Sequence, residues 1–293
     1  MLGEMSSIAF VILYGVSYGL VLALIAIGLV VTMGLMRVTN LAHGAFAAIG
    51  GYLSTGLMVK GGMPFPLAVL AASLAVALFS IAVERAFYVY LYTAPELEQV
   101  LLTIGLDFIA IGALTFFYGP NVYPTPLPSY LAANVDLGIQ SIQLYRLAVV
   151  AVSLLIIAAL WYMFDRTTLG AQIRAAVDNR TMAQSTGINV SRLFSLVFAL
   201  GSGLAALGGA LGAPMLPLEP LYPFKYLILV LIVVALSGFG NVKSVVGVAL
   251  LVGIVETAGR LLFPSLSGFM IYLLLIILMI WRRDGLFVTR RAQ

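Results

Sequence analysis

The chain has 293 residues, 62% of them hydrophobic and only 9% charged, with a mean hydropathy of +1.13. A soluble domain of this size cannot wet its surface with so few charges, and the apolar runs are continuous rather than alternating, which excludes a β-barrel. The net charge of +4 fits basic residues gathered in cytoplasmic loops rather than a nucleic-acid partner, while zero cysteines and the single histidine, His43, exclude disulfides and cysteine- or multi-histidine metal sites.

The expected class is all-α: a polytopic bundle of about eight or nine transmembrane helices, some of them broken, forming a single domain over 1–293. The first span covers about 8–33 and follows Glu4 with no basic residue ahead of it. That lacks the basic n-region of a cleavable signal, so the N-terminus is read as uncleaved. Gly15 and Gly19 form a small-xxx-small pair for close helix approach.

A second span begins near Asn40. Asn40, His43 and Gly44 fall in its first turn, and Gly50–Gly51 interrupt its middle. Polar groups at a membrane-embedded helix start mark a broken helix or a pathway. The third span, about 66–83, closes on an expected Glu84–Arg85 ion pair at the membrane edge. The following AFYVYLYTAPELEQ places Tyr88, Tyr90 and Tyr92 at the depth of an aromatic belt.

The fourth span, about 100–118, contains Asp107, with Thr103 one helical turn before it. An acid inside a span is costly and marks a candidate functional site. Residues 119–143 hold many Pro and Asn and no Lys or Arg, which fits an external loop. The fifth span covers about 144–164.

The longest polar interval then runs from Asp165 to Arg192. Leu169, Ile173, Val177 and Met182 recur at helical spacing, predicting an amphipathic helix over about 169–185 with one apolar stripe. A helix of that length spans roughly 25 Å. Arg174 and Arg180 lie off the stripe, and Asp178 sits within i,i+4 reach of Arg174. Gly187 supplies the stop, and Asn189 or Ser191 caps the next helix.

The sixth span, about 193–211, is studded with small residues and packs backbone to backbone. A short seventh span, about 226–236, ends where Gly238, Gly240 and Asn241 suggest a break in or near the membrane. The eighth, about 245–262, carries Glu256 and Arg260 in the favourable i,i+4 order. A ninth covers about 268–281. Eleven basic residues fall on one side (Arg37, Arg85, Arg166, Arg174, Arg180, Arg192, Lys243, Arg282, Arg283, Arg290 and Arg291). That asymmetry places the C-terminus and the 165–192 stretch in the cytoplasm.

No GxxxxGK[ST], HExxH or GxSxG occurs, so the chain has neither a phosphate loop nor the common hydrolase signatures, and its few charges are scattered. Transport fits better than catalysis, and no cofactor is expected. MGLMRVTNLAHGAFAAIGGY closely resembles the signature near the start of LivH-type permeases, the membrane subunits of branched-chain amino acid ATP-binding-cassette importers. LGAQIRAAVDNRTMAQSTGIN with FALGSGLAALGGALGAP, and LSGFGNVKSVVGVALLVGIVE, resemble the same family, so the likeness runs over essentially the whole chain.

The resemblance implies a multi-pass permease of a bacterial inner membrane. Its expected partners are a second homologous permease, two cytoplasmic ATPases, a periplasmic substrate-binding protein and membrane lipid. On this sequence it implies that the helix over about 169–185 is a coupling helix seated on an ATPase, with Leu169, Ile173, Arg174, Val177, Asp178, Arg180, Met182 and Gly187 as its residues. Asn40, His43, Asp107, Gly240, Asn241 and Glu256 are the candidates for the translocation pathway or the permease–permease seam. The competing readings are an amphipathic helix lying on anionic lipid, a stand-alone channel or secondary transporter for urea or another small solute, and a sugar-type permease of the same superfamily.

Overall fold

The structure is a computed structural model that describes residues 2–36, 38–92, 94–136, 141–238 and 242–281. Among them, six helical stretches are long and apolar enough to cross a membrane: Ile8–Met36, Phe65–Leu91, Glu96–Tyr118, Leu144–Arg166, Val190–Gly212 and Val242–Leu262. Helix α1 is Leu2–Met36, α2 His43–Val59, α3 Phe65–Val83 and α5 Glu96–Tyr118, with the short α4, Val89–Leu91, between the last two. Then come α6 (Leu144–Arg166), α7 (Thr168–Asp178), α8 (Arg180–Ser185), α9 (Val190–Gly212), α10 (Tyr222–Ser237), α11 (Val242–Leu262) and α12 (Ser267–Trp281). With the shorter α2, α10 and α12, the apolar helices fall where nine segments were expected. The chain is a polytopic helical bundle.

The centre of the bundle is α1, whose stretch from Leu20 to Val30 is almost wholly buried. It packs against α9 and α11 above all, and also against α6 and α10. Its glycines explain how. A Cβ on Gly15 would lie 2.7 Å from the Ile254 Cα, and one on Gly253 would lie 2.5 Å from the Gly15 carbonyl oxygen, so α1 and α11 touch through backbone. Between lipid-facing helices there is no hydrophobic force to spend, so contact depends on this closeness of approach.

The second buried helix, α9, lies against α1, α2 and α3. Helices α5 and α6 bury little of themselves and present apolar surface outward, as lipid-facing helices must. Gly50 and Gly51 do not break α2, contrary to expectation. The helix runs unbroken through them, and the missing side chains admit α9: a Cβ on Gly50 would lie 2.3 Å from the Ala206 carbonyl oxygen.

The loop over 119–143 holds more structure than its composition suggested. It carries a 3-10 turn at Ser129–Leu131 and a two-stranded antiparallel ribbon, β1 (Asn134–Asp136) with β2 (Ser141–Gln143), in which Val135 pairs with Ile142. Tyr123 N–H donates to the Leu218 carbonyl oxygen at 2.8 Å, tying this loop to the turn after α9. At the other end of the bundle lie the α1–α2 connection, the α3–α5 connection and α7–α8, joined by contacts such as Tyr88–Asn40 and Arg85–Ser191.

Candidate functional site

The 165–192 interval forms two helices, not one. Thr167 caps α7 by accepting the Gly170 N–H at 3.3 Å while its hydroxyl donates to the Met163 carbonyl. Gly170 permits the tight corner, since a Cβ there would lie 2.1 Å from the Phe164 carbonyl oxygen. Arg174 donates to that same carbonyl. At Asn179 the backbone turns extended, and its side chain accepts the Met182 N–H at 3.0 Å. The predicted single helix is therefore broken, because Asn179 offers the backbone a cap in place of one more helical turn. Gly187, at φ +87°, ends the hairpin, and Asn189 caps α9 by accepting the Arg192 N–H at 3.0 Å.

The break also splits the expected stripe. Ile173 is buried together with Gly170, Ala176 and Ala183, and Leu169 is half-buried. Val177 and Met182 instead stand out at 37% and 67% exposure. No ion pair joins Arg174 to Asp178. A cavity of about 700 Å³ separates α7 from the ends of α1, α6 and α11, with Trp161, Asp165, Arg174, Asp178 and Lys243 on its wall. Helix α7 thus rests on the bundle along a narrow line of small residues, with space beside it.

A second constellation surrounds the start of α2. Asn40 precedes the helix rather than sitting in its first turn, and it is buried. Its Oδ1 accepts the Tyr88 hydroxyl at 2.6 Å, and its Nδ2 has no partner. Nε2 of the buried His43 lies 2.9 Å from the Ile25 carbonyl oxygen in α1, and its Nδ1 is unpartnered. Asp107 on α5 is buried beside the Ala45 N–H, yet neither carboxylate oxygen closes a hydrogen bond of ordinary geometry. Thr103 is no partner for it, because its hydroxyl is spent on the Gln99 and Val100 carbonyls. Gln99 holds the preceding chain, accepting the Thr39 N–H at 2.9 Å.

Each unsatisfied buried polar group costs on the order of 1–3 kcal/mol. Four such atoms on three residues lie near one helix start. Asn40, His43 and Asp107 are thereby brought together. Glu256 is not among them: it lies toward the far end of α11, ion-paired with Arg260 at 2.7 Å. Gly240 and Asn241 lie outside the described residues, whereas Gly238, at φ +72°, does end α10.

Between the two constellations lies a carboxylate that sequence reasoning placed at the surface. After Val83 the helix passes through one π-helical turn, Glu84–Tyr88. Glu84 is buried and accepts hydroxyls from Tyr92 and, at 2.7 Å, from Ser195 on α9. Arg85 does pair with it, at 3.4 Å, and also donates to Ser191. The Tyr92 ring meets Phe194 edge-on at 5.1 Å, and Phe194 lies beneath the Arg180 guanidinium of α8 at 4.9 Å. Tyr88 and Tyr92 are thus internal contacts, and of the three expected belt tyrosines only Tyr90 is exposed. The signal was the spacing Glu84, Tyr88, Tyr92, which puts all three on one helix face.

Comparison with known proteins agrees with this architecture. Residues 11–279 match the family described as branched-chain amino acid transport system / permease component. The chain is 27% identical to the high-affinity branched-chain amino acid transport system permease protein BraD of Pseudomonas aeruginosa, over 93% of each chain. It is 25% identical to a probable branched-chain amino acid transport permease protein LivH of Methanocaldococcus jannaschii, covering 87% of this chain and 82% of that one. The LivH protein of Salmonella typhimurium is 26% identical, over 83% and 82%.

Proposed function

This chain belongs to the family of permease components of branched-chain amino acid transport systems, and we propose that it is the membrane-spanning subunit of an ATP-binding-cassette importer for branched-chain amino acids or related small solutes. It works beside a second homologous permease, two cytoplasmic ATPases and a periplasmic binding protein, in a bacterial inner membrane. The names of the relatives support the solute class, and the basic residues gathered at one end support the orientation.

The observation that carries this reading is the uncovered α7–α8 hairpin. Met182 exposes apolar surface on α8 near Arg180, and Val177 stands part-exposed on the wall of the cavity beside α7 with Arg174 and Asp178, although Ile173 and Ala183 already anchor the hairpin to the bundle. Apolar and charged surface left uncovered on a hairpin with space beside it suits a docking partner. The occupant is an ATPase groove that takes the apolar ridge while the charges meet its rim. ATP-driven closure of the ATPases then pulls on α7–α8. The Arg180–Phe194–Tyr92–Glu84 contacts carry the displacement to the π-helical turn, and Tyr88 on that turn hands it to Asn40. Alternating access requires nucleotide and binding protein to prefer different permease states. The solute passes the buried polar atoms of Asn40, His43 and Asp107.

Val177→Pro in the complex reconstituted with its ATPases and binding protein tests the hairpin. A proline inside α7 costs about 3 kcal/mol locally, and uptake is expected to collapse while membrane insertion and basal ATP hydrolysis persist. Unchanged uptake would remove the coupling role. ATP-independent transport by the chain alone in liposomes would favour the channel reading instead.

A further inference from the structure

At the end of the bundle opposite α7 and α8, the first half of α1, the start of α6 and the end of α11 surround a second cavity, of about 280 Å³. Phe10, Tyr14, Tyr18, Arg146, Glu256 and Arg260 line it. Glu256 is engaged on its own helix, its Oε1 accepting from Arg260 Nη2 at 2.7 Å and Nε at 2.8 Å. Arg146 has no such carboxylate among the described residues. Its Nη1 donates to the Ser17 hydroxyl at 3.1 Å, and its guanidinium lies 4.0 Å from the centre of the Tyr14 ring. Its Nε is buried with no acceptor, and so is the Tyr18 hydroxyl.

Among the described residues, two arginines against one glutamate give this cavity's wall one positive charge. A cation over an aromatic face gains less than withdrawing an ion from water costs. The ring of Tyr14 and one neutral hydroxyl therefore leave the half-buried Arg146 short of partners, above all at its buried Nε. A guanidinium matches planar or tetrahedral oxyanions through paired N–H bonds. The stacked rings of Phe10 and Tyr14, 3.9 Å apart, add an apolar wall. The space admits a group the size of an amino acid or a lipid headgroup, not a nucleotide.

We propose that this cavity is a binding site for a singly charged oxyanion seated on Arg146, with an apolar body against Phe10 and Tyr14. The same chemistry is offered by a small carboxylated solute and by the phosphate of an anionic lipid. The site is separate from the polar cluster at the start of α2 and stands whether or not the chain works with an ATPase.

The test uses the full-length chain in nanodiscs. In phosphatidylcholine discs, 4-methylpentanoate and its cationic counterpart isoamylamine are compared for their ability to slow modification of Arg146 by phenylglyoxal, read by peptide mass spectrometry. In a second arm, phosphatidylglycerol replaces part of the lipid and no solute is added. Several-fold protection by the carboxylate assigns a solute site, and protection by phosphatidylglycerol assigns a lipid site. Isoamylamine is expected not to protect. Arg146→Gln is expected to weaken anion binding roughly tenfold, by equilibrium dialysis or lipid retention, with Arg146→Lys restoring part of it. Equal protection by anion and cation, or none in either arm, overturns the proposal. The wild-type protection result decides the question even where the glutamine variant fails to fold.

Discussion

Where α9 crosses α2, a Cβ added to Gly209 would fall 1.9 Å from the Ala47 carbonyl oxygen, and the facing Gly50 is as tightly enclosed. In α7–α8, by contrast, only Gly170, Ile173, Ala176 and Ala183 are buried, a cavity lies alongside, and a side-chain cap at Asn179 divides the helix in two. The seam holds its geometry through backbone contact that tolerates no displacement. The hairpin holds its geometry through caps and a few small residues, and leaves the rest of its surface to something else. In the coupling mechanism proposed above, force applied at the hairpin reaches the buried helices only if they move as a unit. Glu84 forms a structural joint between the two, bonded to Ser195 on the seam helix and in contact through Tyr92 and Phe194 with Arg180 on the hairpin.

The largest effect is expected at the seam. Gly209→Val forces β-branched carbon into backbone, beyond the 1–3 kcal/mol typical of overpacking, and should abolish a monodisperse peak in detergent. A stable Gly209→Val protein would show that α2 and α9 slide freely and would break the contrast. At the joint, Glu84→Gln keeps the shape but removes the charge that both hydroxyls and Arg85 address. It should lower stability by roughly 1–3 kcal/mol, seen as a lower melting temperature in detergent, and should reduce ATP-driven uptake further than that loss explains. Normal uptake with the same stability loss would reduce Glu84 to a structural anchor. The smallest effect belongs to Asn179→Ala, which removes the cap of α8 at a cost of about 1 kcal/mol. Hydrogen exchange should rise in 180–185 alone, with the seam unchanged. Spread of the exchange into α9 would mean that hairpin and seam are a single unit.

Sequence reading located the helices well because each span must satisfy its own backbone in lipid, so apolar length alone reveals it. It placed Asn40, His43 and Asp107 as candidates for the same reason: polar atoms are conspicuous in that setting. It took Gly50–Gly51 for a break because a glycine pair has the same appearance whether it ends a helix or admits a neighbour. It read Leu169, Ile173, Val177 and Met182 as one stripe because periodicity ignores a cap at Asn179. Glu84 looked like a surface ion pair because Arg85 follows it, and nothing local announces that Ser195 will arrive from over a hundred residues away.

Composition and local pattern are enough to say that this protein lives in a bilayer, that it does so as helices, and which connections carry most of the positive charge. Those outcomes follow from composition, segment length and charge placement, which are sums over neighbouring residues. Tertiary packing was needed to fix which polar groups are left without partners, where α9 touches α2 and α1, and that Arg146 and Arg260 share one cavity with a single carboxylate among the described residues. Each of these depends on distances between segments far apart in the chain, and such distances are fixed by how close two backbones can come. Glycine grants that closeness, and the partner helix decides whether it is used.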